Sequence, residues 1–105
     1  MEIININDIP DEGTTSYELK CLFERDGIKY QYVSILPGAR VPETGARAHE
    51  YDEYCYYVSG EIICGCEGQE VLIKKGDISF IKKHVPHWSR NDSNKPCAIL
   101  CIFLL

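Results

Sequence analysis

His49-Glu50-Tyr51-Asp52-Glu53-Tyr54-Cys55-Tyr56-Tyr57-Val58-Ser59-Gly60 is the stretch from which the fold can be read. Its second half is rich in tyrosine and closes on Ser59-Gly60, the composition of a strand that runs into a turn. Side chains on an extended strand alternate with period two. His49 and Glu53 therefore fall on one face, and that face continues through Cys55 and Tyr57. A histidine and a carboxylate four residues apart are thereby aimed the same way.

Working outward, short β-rich runs alternate with glycine or proline punctuation, and no window sustains apolar residues at helical spacing. Tyr17 to Phe23 alternates Tyr17, Leu19, Cys21 and Phe23 on one face, and Asp26-Gly27 follows as a hairpin turn. Further strands are expected at Ile28 to Leu36, Glu53 to Val58, Glu61 to Cys66, Gln69 to Lys75, Ile78 to Ile81, Pro86 to Arg90 and Cys97 to Leu105. At least eight strands in a chain of 105 residues indicate an all-β antiparallel sandwich or barrel. The length fits one domain, residues 1–105, with no room for a second core.

The last strand is apolar on both faces, whereas a half-exposed strand should alternate. One face is expected to meet the barrel interior and the other a second copy of the chain, so a homodimer is expected. Lys74, Lys75, Lys82 and Lys83 read as a solvated edge that discourages further strand pairing.

Net charge is −5, from 16 acidic and 11 basic residues with no basic cluster, which argues against nucleic acid and against an anionic membrane surface. The longest apolar run, Cys97 to Leu105, is nine residues, short of the ~20 of a spanning helix. The N-terminus lacks a basic flank followed by a long apolar stretch, so a cytoplasmic protein is expected. Six cysteines, Cys21, Cys55, Cys64, Cys66, Cys97 and Cys101, form no Cys-x-x-Cys pair and read as reduced thiols filling a β core.

The remaining histidines lie in a second cluster: Gly76, then Lys82-Lys83-His84-Val85-Pro86-His87, then Asn91 four residues on. Histidine nitrogen with carboxylate oxygen suits iron(II), manganese, zinc, nickel or cobalt. With these residues in place the chain resembles the cupin superfamily. The first motif of that family reads glycine, five residues, His-x-His, three or four residues, Glu, six residues, Gly; His49, Glu53 and Gly60 match it. The second reads Gly, five residues, Pro-x-Gly, two residues, His, three residues, Asn; Gly76, His87 and Asn91 match it. The resemblance spans Pro37 to Asn91 and implies a double-stranded β-helix, a jelly-roll barrel.

The departures bear on function. Arg47 stands where the motif has its first histidine, and a guanidinium has no lone pair to give a metal. The loop from Pro37 to Gly45 is longer than the motif expects, and Lys82 and His84 replace the motif's proline and glycine. The resemblance leaves His49, Glu53 and His87 as the ligand set for a divalent metal with open positions. Arg47 would counter an anionic ligand if it points inward. Cys55 and Tyr57 share the parity of Glu53 and should line the cavity, Trp88 should face away, and His84 should sit in an exposed turn at the barrel mouth.

Two functions fit. One is a small metalloenzyme, of the kind that among cupins includes dioxygenases, isomerases, epimerases and decarboxylases, in which Glu53 or a water on the metal would serve as base. The other is a non-catalytic binding or sensor module, with or without a metal, with Arg47 and His87 as polar contacts and Tyr57 as a wall around a small anion or sugar.

Overall fold

The computed structural model describes all 105 residues. Nine strands carry the chain: β1 (Tyr17–Arg25), β2 (Ile28–Ile35), β3 (Arg40–Val41), β4 (Asp52–Ser59), β5 (Glu61–Cys66), β6 (Gln69–Lys74), β7 (Ile78–Ile81), β8 (His87–Arg90) and β9 (Cys97–Leu104). A single 3-10 turn, Ile6–Asp8, precedes them. No helix is long and apolar enough to cross a membrane.

The strands form two antiparallel sheets, ordered β1-β2-β9-β4-β7 and β3-β8-β5-β6. They face one another as a jelly-roll barrel, the all-β architecture expected from the turn spacing. The core between them is Ile35, Tyr57, Ile62, Ile73, Ile99 and Phe103 with the buried cysteines Cys55, Cys64, Cys97 and Cys101. None of the six cysteines is paired in a disulfide.

The expected strands are all present, with adjustments in number, register and bounds. β3 lies inside the long loop after Pro37, where Arg40 and Val41 pair with Arg90 and Ser89 of β8. Two residues are too few to show alternation, so nothing in the sequence marks them. The register of β1 shifts between Cys21 and Phe23. A bulge adds one residue to one strand and turns the later residues of that strand to the other face. Phe23 therefore pairs with Tyr30 and shares its outward face, rather than continuing the row of Tyr17, Leu19 and Cys21. Pro86 stays outside β8, and β9 ends at Leu104.

Two tight features hold the barrel. Gly60, at φ 80° between β4 and β5, lies so close to Pro96 that an added Cβ would come within 2.4 Å of its carbonyl oxygen. Asn91 is fully buried; its amide donates to the carbonyls of Ile35 (2.9 Å) and Lys95 (2.8 Å), and its Oδ1 accepts from Ser93. It ties the end of β2 to the loop that leads into β9.

The outer face of the five-stranded sheet is apolar. One row across it reads Tyr30, Ile102, Tyr54, Phe80, and the next reads Tyr32, Leu100, Tyr56, Ile78. On this face Tyr54, Tyr56, Ile78, Phe80 and Ile102 are exposed, while the N-terminal turn reaches its β1 side, where Lys20 Nζ donates to the Ile6 carbonyl at 2.9 Å.

Candidate metal centre

The facing sheets enclose a cavity of about 140 Å³. Glu53 enters it from β4, flanked in register by Phe103 of β9 and Ile81 of β7. His49 arrives from the segment just before β4. Its ring meets Phe103 edge-on at 5.1 Å, and its carbonyl accepts the His84 amide at 2.8 Å. His87 opens β8, and its Nδ1 lies 3.0 Å from the Val85 carbonyl. A carbonyl can only accept, so Nδ1 carries a proton, and in the neutral ring Nε2 has its lone pair free toward the cavity.

These three side chains converge. Glu53 Oε2 lies 3.3 Å from His49 Nε2 and 3.4 Å from His87 Nε2. The two rings stand 5.1 Å apart, centre to centre. Oε2 is buried and has no hydrogen-bond partner, although both imidazoles are near. An unpaired buried carboxylate oxygen is costly. A cation among the three donors would remove that cost. Tetrahedral coordination at bonds of about 2.0–2.1 Å sets donors about 3.3 Å apart, which the two observed separations match.

The charges are tuned against one another. Burial pushes the Glu53 carboxyl up, but the His87 and Cys55 contacts and the charges of both histidines outweigh it, so it stays below the usual carboxylate value. Burial holds His49 below the ordinary imidazole value, more than Glu53 can offset. Burial also opposes charge on His87, but Glu53 and the Val85 carbonyl prevail and hold it above that value.

The structure brings other singled-out residues to the same cavity. Cys55 and Tyr57, both 5% exposed, line it from β4, and the Tyr57 hydroxyl lies 3.0 Å from Ser79 Oγ. Arg47 lines the cavity, and its backbone pairs with that of His87. It joins none of the ion pairs. His84 stays outside, exposed and 3.0 Å from Glu50. Trp88 faces away, between the Arg40 and Arg90 guanidinium groups at 4.6 and 5.3 Å. Gln31, Cys101 and Ser89 also line the cavity and escaped the sequence reading. Ser89 shares the parity of His87 and was legible there; Gln31 depends on the pairing of β2 with β9, which the sequence does not carry.

A family model described as "Cupin domain" matches residues 31–103. No curated protein matches the chain in sequence. Among solved structures, a predicted oxalate decarboxylase from Thermotoga maritima superposes with a TM-score of 0.86 at 20% identity, over 99% of this chain and 99% of that one. The polyketide cyclase RemF from Streptomyces resistomycificus gives 0.85 at 18% identity, over 98% of this chain and 78% of that one. A Cupin 2 conserved barrel domain protein from Salinispora arenicola gives 0.83 at 14% identity, over 100% of this chain and 89% of that one. At these identities the likeness is one of fold.

Proposed function

The chain belongs to the cupin family, and from that premise we propose that it holds a divalent transition metal on His49, Glu53 and His87 and binds a small anionic molecule beside it. The observation that carries this reading is Glu53 Oε2, buried without a hydrogen bond and facing two imidazole nitrogens at 3.3 and 3.4 Å. Two imidazoles and a carboxylate suit iron(II), manganese, zinc, nickel and cobalt, and leave positions open. A cation held there supplies a Lewis acid for a bound carbonyl or carboxylate oxygen.

The chain's own residues do the rest. Arg47 offers a guanidinium without an acidic partner, and it can pair an anionic group in two-pronged fashion. Tyr57 and Ile99, side by side in register, form an apolar wall that orients the remainder of the molecule. A cavity of about 140 Å³ admits a compound of a few carbon atoms. Glu53 sits within reach of such a molecule, with its Oε1 accepting from Cys55 at 3.1 Å.

The assembly we propose is a homodimer joined through the outer face of the five-stranded sheet. Two adjacent rows of aromatic and aliphatic side chains lie there, of which Tyr54, Tyr56, Ile78, Phe80 and Ile102 are exposed in the single chain, and a patch of this kind is what a second copy buries.

Metal analysis tests the site. Protein purified without a polyhistidine tag should carry close to one equivalent of transition metal or take up manganese(II) on addition, and His87→Gln should weaken that uptake at least about tenfold. Absence of metal together with absence of uptake ends the ligand reading.

A further inference from the structure

We infer that the sulfur side of the same barrel is a second metal position, in which Glu53 Oε1 and the sulfurs of Cys55 and Cys101 bind a thiophilic cation such as zinc(II). Cys55 of β4 and Cys101 of β9 are partners in register, and both face inward. Their Sγ atoms lie 3.0 Å apart, and Cys55 Sγ lies 3.1 Å from Glu53 Oε1. The ligand atoms of Glu53, Cys55 and Cys101 all fall within 4.8 Å of one another, and all three residues are buried.

Glu53 divides the cavity. Its Oε2 faces the two imidazoles and its Oε1 faces the two thiols. A carboxylate can bridge two cations with one oxygen on each. Nitrogen and oxygen donors suit manganese or iron(II) on one side, while thiolates select zinc or copper(I) on the other. The position shares Glu53 with the imidazole site but does not need the imidazoles.

The row that holds the sulfurs is distinct from its neighbours. Across the five-stranded sheet it reads Gln31, Cys101, Cys55, Ser79, whereas the next inward row reads Val33, Ile99, Tyr57. A polar row through a β core calls for a reason, and packing alone would be served by valine or alanine. All four residues wall the cavity or touch a residue that does, so an entering ion reaches the sulfurs.

A coordinating cation displaces thiol protons outright. Binding forms two metal–sulfur bonds, breaks two S–H bonds and releases two protons to solvent. Two thiolates and a shared carboxylate then balance the charge of the ion. Zinc–sulfur bonds of about 2.3 Å set two sulfurs about 3.8 Å apart, so the side chains part by about 0.8 Å. A disulfide requires the opposite movement, closure to about 2.05 Å. Buried thiols such as these two are the kind that resist oxidation, which favours the cation.

Cadmium(II), added to the full chain under reducing conditions, is the probe. The expected result is a thiolate-to-cadmium charge-transfer band saturating at one equivalent with release of two protons. The band should persist in His49→Ala/His87→Ala and vanish in Cys55→Ser/Cys101→Ser. No band in the natural chain overturns the proposal. So does a band that survives loss of both cysteines, since other thiols would then be its source. Loss of the band in the histidine variant also overturns it, because the sulfurs would then act only with the imidazoles. If the cysteine variant does not fold, zinc X-ray absorption on the natural chain decides. Sulfur neighbours at about 2.3 Å support the site, and nitrogen and oxygen alone refute it. Recovery of Cys55 and Cys101 as a disulfide from air-free preparations refutes it as well. Manganese(II) reads the nitrogen side separately, so failure of one site leaves the other visible.

Discussion

Arg47 and His87 are joined backbone to backbone by two hydrogen bonds of 2.9 Å, each amide donating to the other's carbonyl. Residues exchanging both bonds in an antiparallel pair lie directly opposite, with side chains on the same side. His87 points into the cavity, so Arg47 leaves its backbone toward the cavity too. The longer loop before it leaves the Arg47 backbone opposite His87, while the Arg47 side chain is exposed. Arg47→His should therefore add a third imidazole to the proposed centre. Changes in residues that only support ligands move metal affinity by about 10–100-fold, and a gained ligand should move it by no less. Calorimetric titration of both proteins with manganese(II) or cobalt(II) measures this. Equal affinities would mean that the new ring does not reach the ion.

Acid should weaken manganese(II) binding, with His87 setting the threshold. A proton and a cation compete for the Nε2 lone pair. Burial opposes charge on this ring, but Glu53 and the Val85 carbonyl hold its pKa above the ordinary imidazole value, which is about 6.5. Below that raised value each pH unit downward should cost up to about tenfold in affinity; above it the affinity should level off. His49, held low by burial, adds its own loss only at more acidic pH. The electron paramagnetic resonance signal of free manganese across this range reads the curve. A plateau already complete below about pH 6 would remove His87 as the limiting ligand.

Gly65 lies in register with Trp88 on the outer face of the four-stranded sheet. A Cβ at position 65 would stand 2.0 Å from the indole. The ring is held over the glycine by the guanidinium groups of Arg40 and Arg90, at 4.6 and 5.3 Å. Gly65→Ala should push Trp88 off this seat and destabilise the fold by about 1–3 kcal/mol, the usual range for overpacking. Urea denaturation followed by the fluorescence of the only tryptophan checks it. An unchanged midpoint with unchanged emission would show that the indole moves aside freely.

Most of the barrel was readable because one property, period-two alternation closed by glycine or proline, recurs along the chain. The run from Glu53 to Val58 gave the inward row Glu53, Cys55, Tyr57 from parity alone. His49 and His87 were readable as a pair only through the motif resemblance, since 37 intervening residues (87 minus 49, less one) separate them in sequence. What parity misses is register. The bulge after Cys21 sends Phe23 outward, and no residue between them announces it. The Gln31–Cys101–Cys55–Ser79 row assembles four separate strands, so its sulfur pair was visible in sequence only as two unrelated core cysteines.

The apolar outer face yields the last prediction. Ile102 of β9 lies at its middle, in register with Tyr30 on one side and Tyr54 on the other, and the Tyr54 ring packs at a tilt against Phe80, 4.9 Å between centres. If a second copy covers this face, Ile102→Glu places a carboxylate where the partner removes water, and burying an unpaired charge is prohibitive. The same substitution faces solvent in a monomer, where surface changes stay within about 0.5 kcal/mol. Sedimentation should therefore find the natural chain dimeric at micromolar concentration and the variant monomeric, with the unfolding midpoint of the isolated variant little lower. A natural chain that sediments as a monomer at every concentration would end the dimer reading. A variant that stays dimeric would move the contact to another surface.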